Sequence, residues 1–244
     1  MTDYKAFRTA GLLAVVAPIL LNIAFVLLGS SFDYPGVLDE PAARTLREFH
    51  DDATTISWQF GLLALSAALI APLAIYLGRC LGPSRVVRAS VYIGISGAVV
   101  QVIGLLRWPI LVPGLADTAT DAAKTAAERA DAVDTFDTWN DVLGGAIGET
   151  LGYALTATWT VLIINALSER PLIGRVMTIL GLSAAVLIAL GVLVPLDAPG
   201  ADAANFLGYI LWSIWLIALG VILLRVARNR TGQRRHLVTR QKHV

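Results

Sequence analysis

Two charged residues stand where a lipid environment gives them nothing to do. Arg107 lies in the run Gly104-Leu105-Leu106-Arg107-Trp108-Pro109-Ile110, and Glu149 in Gly148-Glu149-Thr150-Leu151-Gly152-Tyr153. An ionisable side chain at the centre of a membrane helix costs roughly 2.5–3.5 kcal/mol on insertion scales, so it calls for a partner, water or a task. Each is five or six residues inside the same end of an apolar stretch, which at ~1.5 Å per residue is ~7–9 Å below the boundary. Opposite charges at one depth in consecutive elements predict a paired or water-linked Arg107–Glu149 site.

Other residues gather round this pair. Pro109 cannot donate to the carbonyl of Leu105, so the helix end should kink or unwind there, tightened by Pro113. Irregular backbone at that depth is tolerated only when buried or facing water. Trp108 suits a cavity rim. Glu149, Tyr153, Thr156 and Thr160 recur at helical spacing and form a polar stripe. Gly145, Gly148 and Gly152 recur beside it and allow close helix approach. Asn22, Gln101, Asn205, Tyr209 and Ser213 are available on other segments. Trp58 and Gln59 lie near the same mouth, and Trp139, Asn140 and Asp141 just above Glu149. The candidate ligand-binding set is therefore Arg107, Trp108, Glu149, Tyr153, Thr156, Trp58, Gln59, Trp139, Asn205 and Tyr209. If the site is catalytic, Glu149 is the general acid, with Tyr153 and Asp141 as auxiliaries. The plainer alternatives are an ion pair that only registers two helices, an arginine that snorkels to headgroups, tryptophans that serve as an interfacial belt, and a glycine stripe that serves packing.

Other chemistries find no support. His50 with Asp51 and Asp52 has no second histidine or cysteine nearby, so no metal site is expected, and no cofactor. Phosphate-loop, nucleophile-elbow and zinc-protease patterns are missing. The single cysteine, Cys80, excludes an internal disulfide.

The elements that must carry these residues follow from composition. The 244 residues are 56% hydrophobic and only 15% charged, with mean hydropathy +0.69. That excludes disorder, collagen and coiled coil, and is too apolar for a soluble domain. Six stretches are long enough to cross a bilayer as helices: Thr9–Ser30, Ile56–Leu77, Ala89–Val112, Leu143–Leu167, Gly174–Leu196 and Ala204–Leu224. The runs are continuous and do not alternate, so helices are preferred over barrel strands. The first run is longer than a signal-peptide core and reads as a retained helix. The fold class is thus all-α: a six-helix polytopic bundle over residues 1–228 and a basic tail over 229–244.

Charge sets the orientation. Fourteen Lys and Arg fall in the two tails and the even-numbered loops, against four in the other loops, while fifteen acids lie on the opposite side. The positive-inside rule then places both termini in the cytoplasm of a bacterial inner membrane. The tail should meet anionic lipid headgroups and not nucleic acid. Both long outer loops are acidic and should be helical: one helix from Pro41 with Leu46, Phe49 and Ala53 on one stripe, and one over roughly Thr118–Thr138 with Val133 and Phe136 on one face. They read as a solvated cap over the bundle.

Several of these residues carry a resemblance. Phe32-Asp33-Tyr34-Pro35, Leu106-Arg107-Trp108-Pro109 with Val112-Pro113, Gly148-Glu149-x-x-Gly152-Tyr153 followed by Thr156 and Trp159, and Leu207-Gly208-Tyr209-x-x-Trp212-x-x-Trp215 are similar to the bacterial membrane proteins grouped as domain of unknown function family 4386. The resemblance runs over about residues 7–225 and implies a six-helix membrane domain with no established activity. The residues themselves point first to binding or sensing of a small amphipathic or lipid-like ligand in an outward-facing pocket. A membrane-embedded enzyme acting on an isoprenoid or lipid comes second; a deep, closed apolar cavity reaching Glu149 would favour it. A transporter or a partner subunit comes third, and transport requires a path continuing past Gln101.

Overall fold

Helices account for nearly the whole chain because every long apolar run must satisfy its own backbone hydrogen bonds. The computed structural model describes residues 4–170, 172–196 and 198–241, with side chains up to 229. The helices are α1 (Tyr4–Phe32), α2 (Ala42–Asp51), α3 (Ala53–Ala68), α4 (Ile70–Leu81), α5 (Arg85–Ile110), α6 (Val112–Thr120), α7 (Ala126–Trp139), α8 (Gly152–Ser168), α9 (Arg175–Leu190) and α10 (Ala201–Gln241). Among the described residues there is no strand, and six helical segments are long and apolar enough to cross a membrane.

The second span is α3 plus α4, broken at Leu69, where Pro72 withholds a donor from the turn before it. The fourth is one run, Ala126–Ser168, made of α7, a π-helical stretch Asn140–Leu151 and α8. It begins well before the expected Leu143 because the acidic segment ahead of the apolar run is also helical. The expected helix over Thr118–Thr138 is instead two helices. Asp121 leaves helical geometry, and Thr125 and Glu128 form a reciprocal capping box that starts α7 afresh.

The spans close into a ring in chain order. α1 packs on α3 and α4, these on α5, α5 on α8, α8 on α9, α9 on α10, and α10 back on α1. Two cores result. The one nearer the chain termini is built from Phe7, Leu73, Leu77, Trp159, Ile163, Trp215, Leu219 and their neighbours. Gly11 and Gly220 bring α1 and α10 together there, since a Cβ on Gly220 would lie 2.7 Å from the Gly11 carbonyl oxygen.

The other core sits at the end carrying the two long loops. Trp108 is fully buried and stacks on Phe60 with centroids 4.7 Å apart; Phe32, Phe49 and Phe136 meet it edge-on or tilted. Leu46 and Phe49 of α2 and Phe136 of α7 are buried in this cluster. The loop helices are therefore a packed cap, whose apolar stripes bury against the spans while their acidic faces stay exposed. α10 runs on without a break through the expected boundary at residue 228. The side chains of the basic tail beyond residue 229, and with them its expected contact with lipid headgroups, lie outside the described residues.

Candidate functional site

The glycines of the fourth span decide how closely it approaches the third. A Cβ on Gly104 would stand 2.9 Å from the Gly148 Cα, one on Gly144 2.7 Å from an Arg107 guanidinium nitrogen, and one on Gly152 2.9 Å from the Gln101 amide nitrogen. The contact stripe is thus Gly144, Gly148 and Gly152, four residues apart, and a Cβ on Gly145 would meet nothing within 4 Å. The reason is the π-helix. Gly152 donates to the Ile147 carbonyl five residues back, so each turn is wider than in an α-helix and residues four apart stack. The expected Gly145 assumed an α-helical period.

Behind this seam lies a cavity of about 120 Å³, room for about four waters at ~30 Å³ each. It is lined from the first, second, third, fourth and sixth spans. Along α5 it runs from Arg107 past Gln101 and Gly97 to Gly94, a depth of ~20 Å at 1.5 Å per residue. Its walls are mostly apolar: Ala17, Leu21, Phe25, Leu63, Ile70 and Ile93. Its polar groups concentrate near one end, where Arg107, Glu149, Tyr34 and Tyr153 all face it.

Arg107 is 6% exposed. It donates to the Gly104 carbonyl at 2.6 Å and to the Asn140 side-chain oxygen at 2.9 Å, and its carbon lies 5.2 Å from the Trp108 ring centroid. Its Nε has no partner. Gly144 leaves the space that the guanidinium occupies. Glu149 is half-buried on the same cavity wall. The ion pairs among the described residues lie elsewhere, joining Arg44 to Glu40 and Glu48, His50 to Asp117 and Lys124 to Glu128. Of the expected paired or water-linked arrangement, the direct Arg107–Glu149 pair is therefore not formed. Neutral acceptors on α5 and at Asn140 hold the arginine instead, and both charges face one cavity without meeting.

Tyr34 reaches this end from the loop after α1. Its ring packs on Phe60 (5.1 Å) and Phe25 (5.8 Å). Burial pushes its hydroxyl up to about 12, with Arg107 pulling it back and Glu149 adding to the rise. It stays neutral, a donor and acceptor. Deeper down, Gln101 donates to the Tyr209 hydroxyl at 3.1 Å, tying the third span to the sixth. The rings of Tyr153, Tyr209, Trp212 and Trp159 follow one another at 5.8, 6.0 and 6.2 Å. Trp212 donates to Thr160 at 2.8 Å, while the Trp159 indole N–H, over Gly94, has no partner.

Of the expected residues, Arg107, Glu149, Tyr153, Thr156, Asn205 and Tyr209 line this cavity. Asn205 also donates to the Ile188 carbonyl at 3.2 Å. The others do not line it. Trp108 turns into the aromatic cluster, because the residue after a cavity-facing one points about 100° away on a helix. Gln59 is taken by Ser31, which donates to it at 2.7 Å and joins the first two spans. Trp58 is 73% and Trp139 43% exposed, on the outside of the bundle. Asp141 is exposed, so it drops out as an auxiliary to Glu149. Tyr34, Trp159 and Trp212 are the additions to the lining, and Asn140, which the sequence places just above Glu149, holds Arg107. Tyr34 sits in a loop, where no periodicity assigns a face, and Asn140 faces Arg107 only through the π register.

No curated protein and no solved structure matches the chain. One family model does, over residues 9–220, which takes in four spans whole, most of the first and sixth, and every cavity residue named above. The chain belongs to the family described as Domain of unknown function (DUF4386), and is an integral membrane protein of six apolar helices.

Proposed function

We propose that the protein binds a small amphipathic molecule within its ring of helices, head at Arg107 and Glu149 and tail along Gly97 and Gly94. The observation that carries this is the cavity's polarity gradient. Two opposite charges that do not meet mark one end, and mostly apolar and aromatic walls, interrupted by Gln101, Thr156, Asn205 and Tyr209, continue to Gly94, ~20 Å from Arg107 along α5. An apolar cavity with a few converging polar groups is the usual form of a small-molecule site.

Gly97 offers the test. A Cβ there meets only ordinary contacts, the nearest 3.4 Å away at Leu155, so Gly97→Leu fills the tail region without breaking the seam. Amphiphile retained through purification, read by mass spectrometry of the detergent-solubilised protein, is lost in this variant. Its thermal midpoint is unchanged or higher, because leucine replaces glycine within a helix. Full retention overturns the reading.

A membrane-embedded enzyme is the second reading, favoured by the depth of the apolar cavity that reaches Glu149. In it Glu149 is the general acid and Tyr153 the auxiliary, and chemical change in the retained molecule separates it from binding alone. Transport is less supported. The cavity does pass Gln101, but it ends at Trp159 and Trp212, above the packed core of Leu77, Ile163, Leu219 and Leu223.

The charge asymmetry of the loops supports a bacterial inner-membrane location with cytoplasmic termini. A C-terminal alkaline phosphatase fusion, active only after export, stays silent if this is right and is active if the orientation is reversed.

A further inference from the structure

The two charges at the cavity's polar end pose a question that a purely anionic head does not answer. Arg107 is buried and bonded only to neutral acceptors, with Nε unpartnered. Among the described residues no donor is hydrogen-bonded to the Glu149 carboxylate and no ion pair reaches it. A buried charge without a counter-charge is costly. Two opposite ones that share a cavity yet do not pair leave both costs standing. A purely anionic head would relieve Arg107 and repel Glu149; a purely cationic head would do the reverse.

We infer that the head of the bound amphiphile is zwitterionic, its anionic group taking Arg107 and its ammonium taking Glu149. This rests on the amphiphile reading above and specifies its head. The surroundings fit each half. The arginine presents Nε–H and the neighbouring Tyr34 hydroxyl stays neutral, both suited to a phosphate or carboxylate oxygen. Glu149 stands beside Tyr153 on the cavity wall, with Tyr209 5.8 Å further on by ring centroid. A carboxylate with aromatic faces is the composition that holds ammonium groups. The apolar remainder of the cavity takes one chain.

The test uses the full-length protein in a neutral maltoside detergent and three probes sharing an octyl chain: octylphosphocholine, octyl phosphate and octyltrimethylammonium. Phosphocholine without a chain is the fourth probe, and binding is read by calorimetry. The wild type should bind octylphosphocholine about tenfold or more tighter than either probe carrying charge of one sign only, the scale of one charge-assisted contact. Glu149→Gln should weaken octylphosphocholine by a similar factor and leave octyl phosphate unchanged or tighter. Because Arg107 helps hold the seam, Arg107→Lys is the partner variant: it keeps the charge and should hold the preference for the zwitterion.

If octyl phosphate binds the wild type as tightly as octylphosphocholine, and Glu149→Gln alters neither, the zwitterionic head is wrong while the amphiphile reading stands. If no octyl probe binds, the amphiphile reading itself falls, and the head assignment with it. If phosphocholine alone matches octylphosphocholine, the head assignment is supported and the apolar-tail reading is overturned.

Discussion

Arg107 and Trp108 are adjacent in sequence and belong to different worlds. Trp108 enters a cluster of four phenylalanines that closes one end of the bundle and clamps the loop helices onto it. Arg107 faces a cavity where packing is deliberately incomplete and two charges stand apart. The first region is built for cohesion: aromatic pairs contribute ~0.5–1.5 kcal/mol each beyond their buried area. The second gives up cohesion around an open cavity, where Arg107 Nε and the Trp159 indole N–H are left unpartnered at ~1–3 kcal/mol each, a cost the first region carries at the Trp108 indole alone. One helix supplies both, so the packed cap and the open cavity share the backbone of α5.

Substitutions can break that contrast. Trp108→Ala has the largest expected effect: it removes the centre of the aromatic cluster and costs ~3–5 kcal/mol. Thermal unfolding in detergent should show the loss, and limited proteolysis should cut first between α6 and α7 as the cap comes away. Resistance to protease equal to wild type would mean the cap is held by something else. Asn140→Ala is intermediate, about 1–3 kcal/mol, because it strips the buried guanidinium of its only side-chain acceptor. If its thermal midpoint is unchanged, Arg107 has another partner. Gly97→Leu closes the series, with little or no loss of stability and the whole effect on binding. The contrast is sharpest if the first variant costs stability far more than the last while only the last empties the cavity.

The sequence reading succeeds where one rule governs and falters where two compete. Six spans follow from run length alone, and the shared depth of Arg107 and Glu149 from counting residues to the helix ends. Which face each residue presents is harder. Trp58 and Trp139 read as belt residues or as cavity walls, and packing assigns them outward. An α-helical period of i, i+3, i+7 selects Gly145, whereas in this π-helical segment the close contact falls on Gly144. Nothing in the local composition announces that change. Tyr34 enters the sequence reading through the family resemblance and not through its position, since a loop side chain folding back under a cap leaves no periodic trace.

The wide turns of Asn140–Leu151 have a consequence for geometry beyond the seam they build. An α-helix advances ~100° per residue, so surrendering a single residue of that register would swing everything above the affected turn by about that angle relative to α8. Asn140 would leave the guanidinium, and the carboxylate six carbonyls above Leu155 would no longer share a chamber with it. The pairing of opposite charges around one void is therefore a property of winding as much as of side-chain choice. A one-residue deletion here would dismantle it while leaving every named group in the chain.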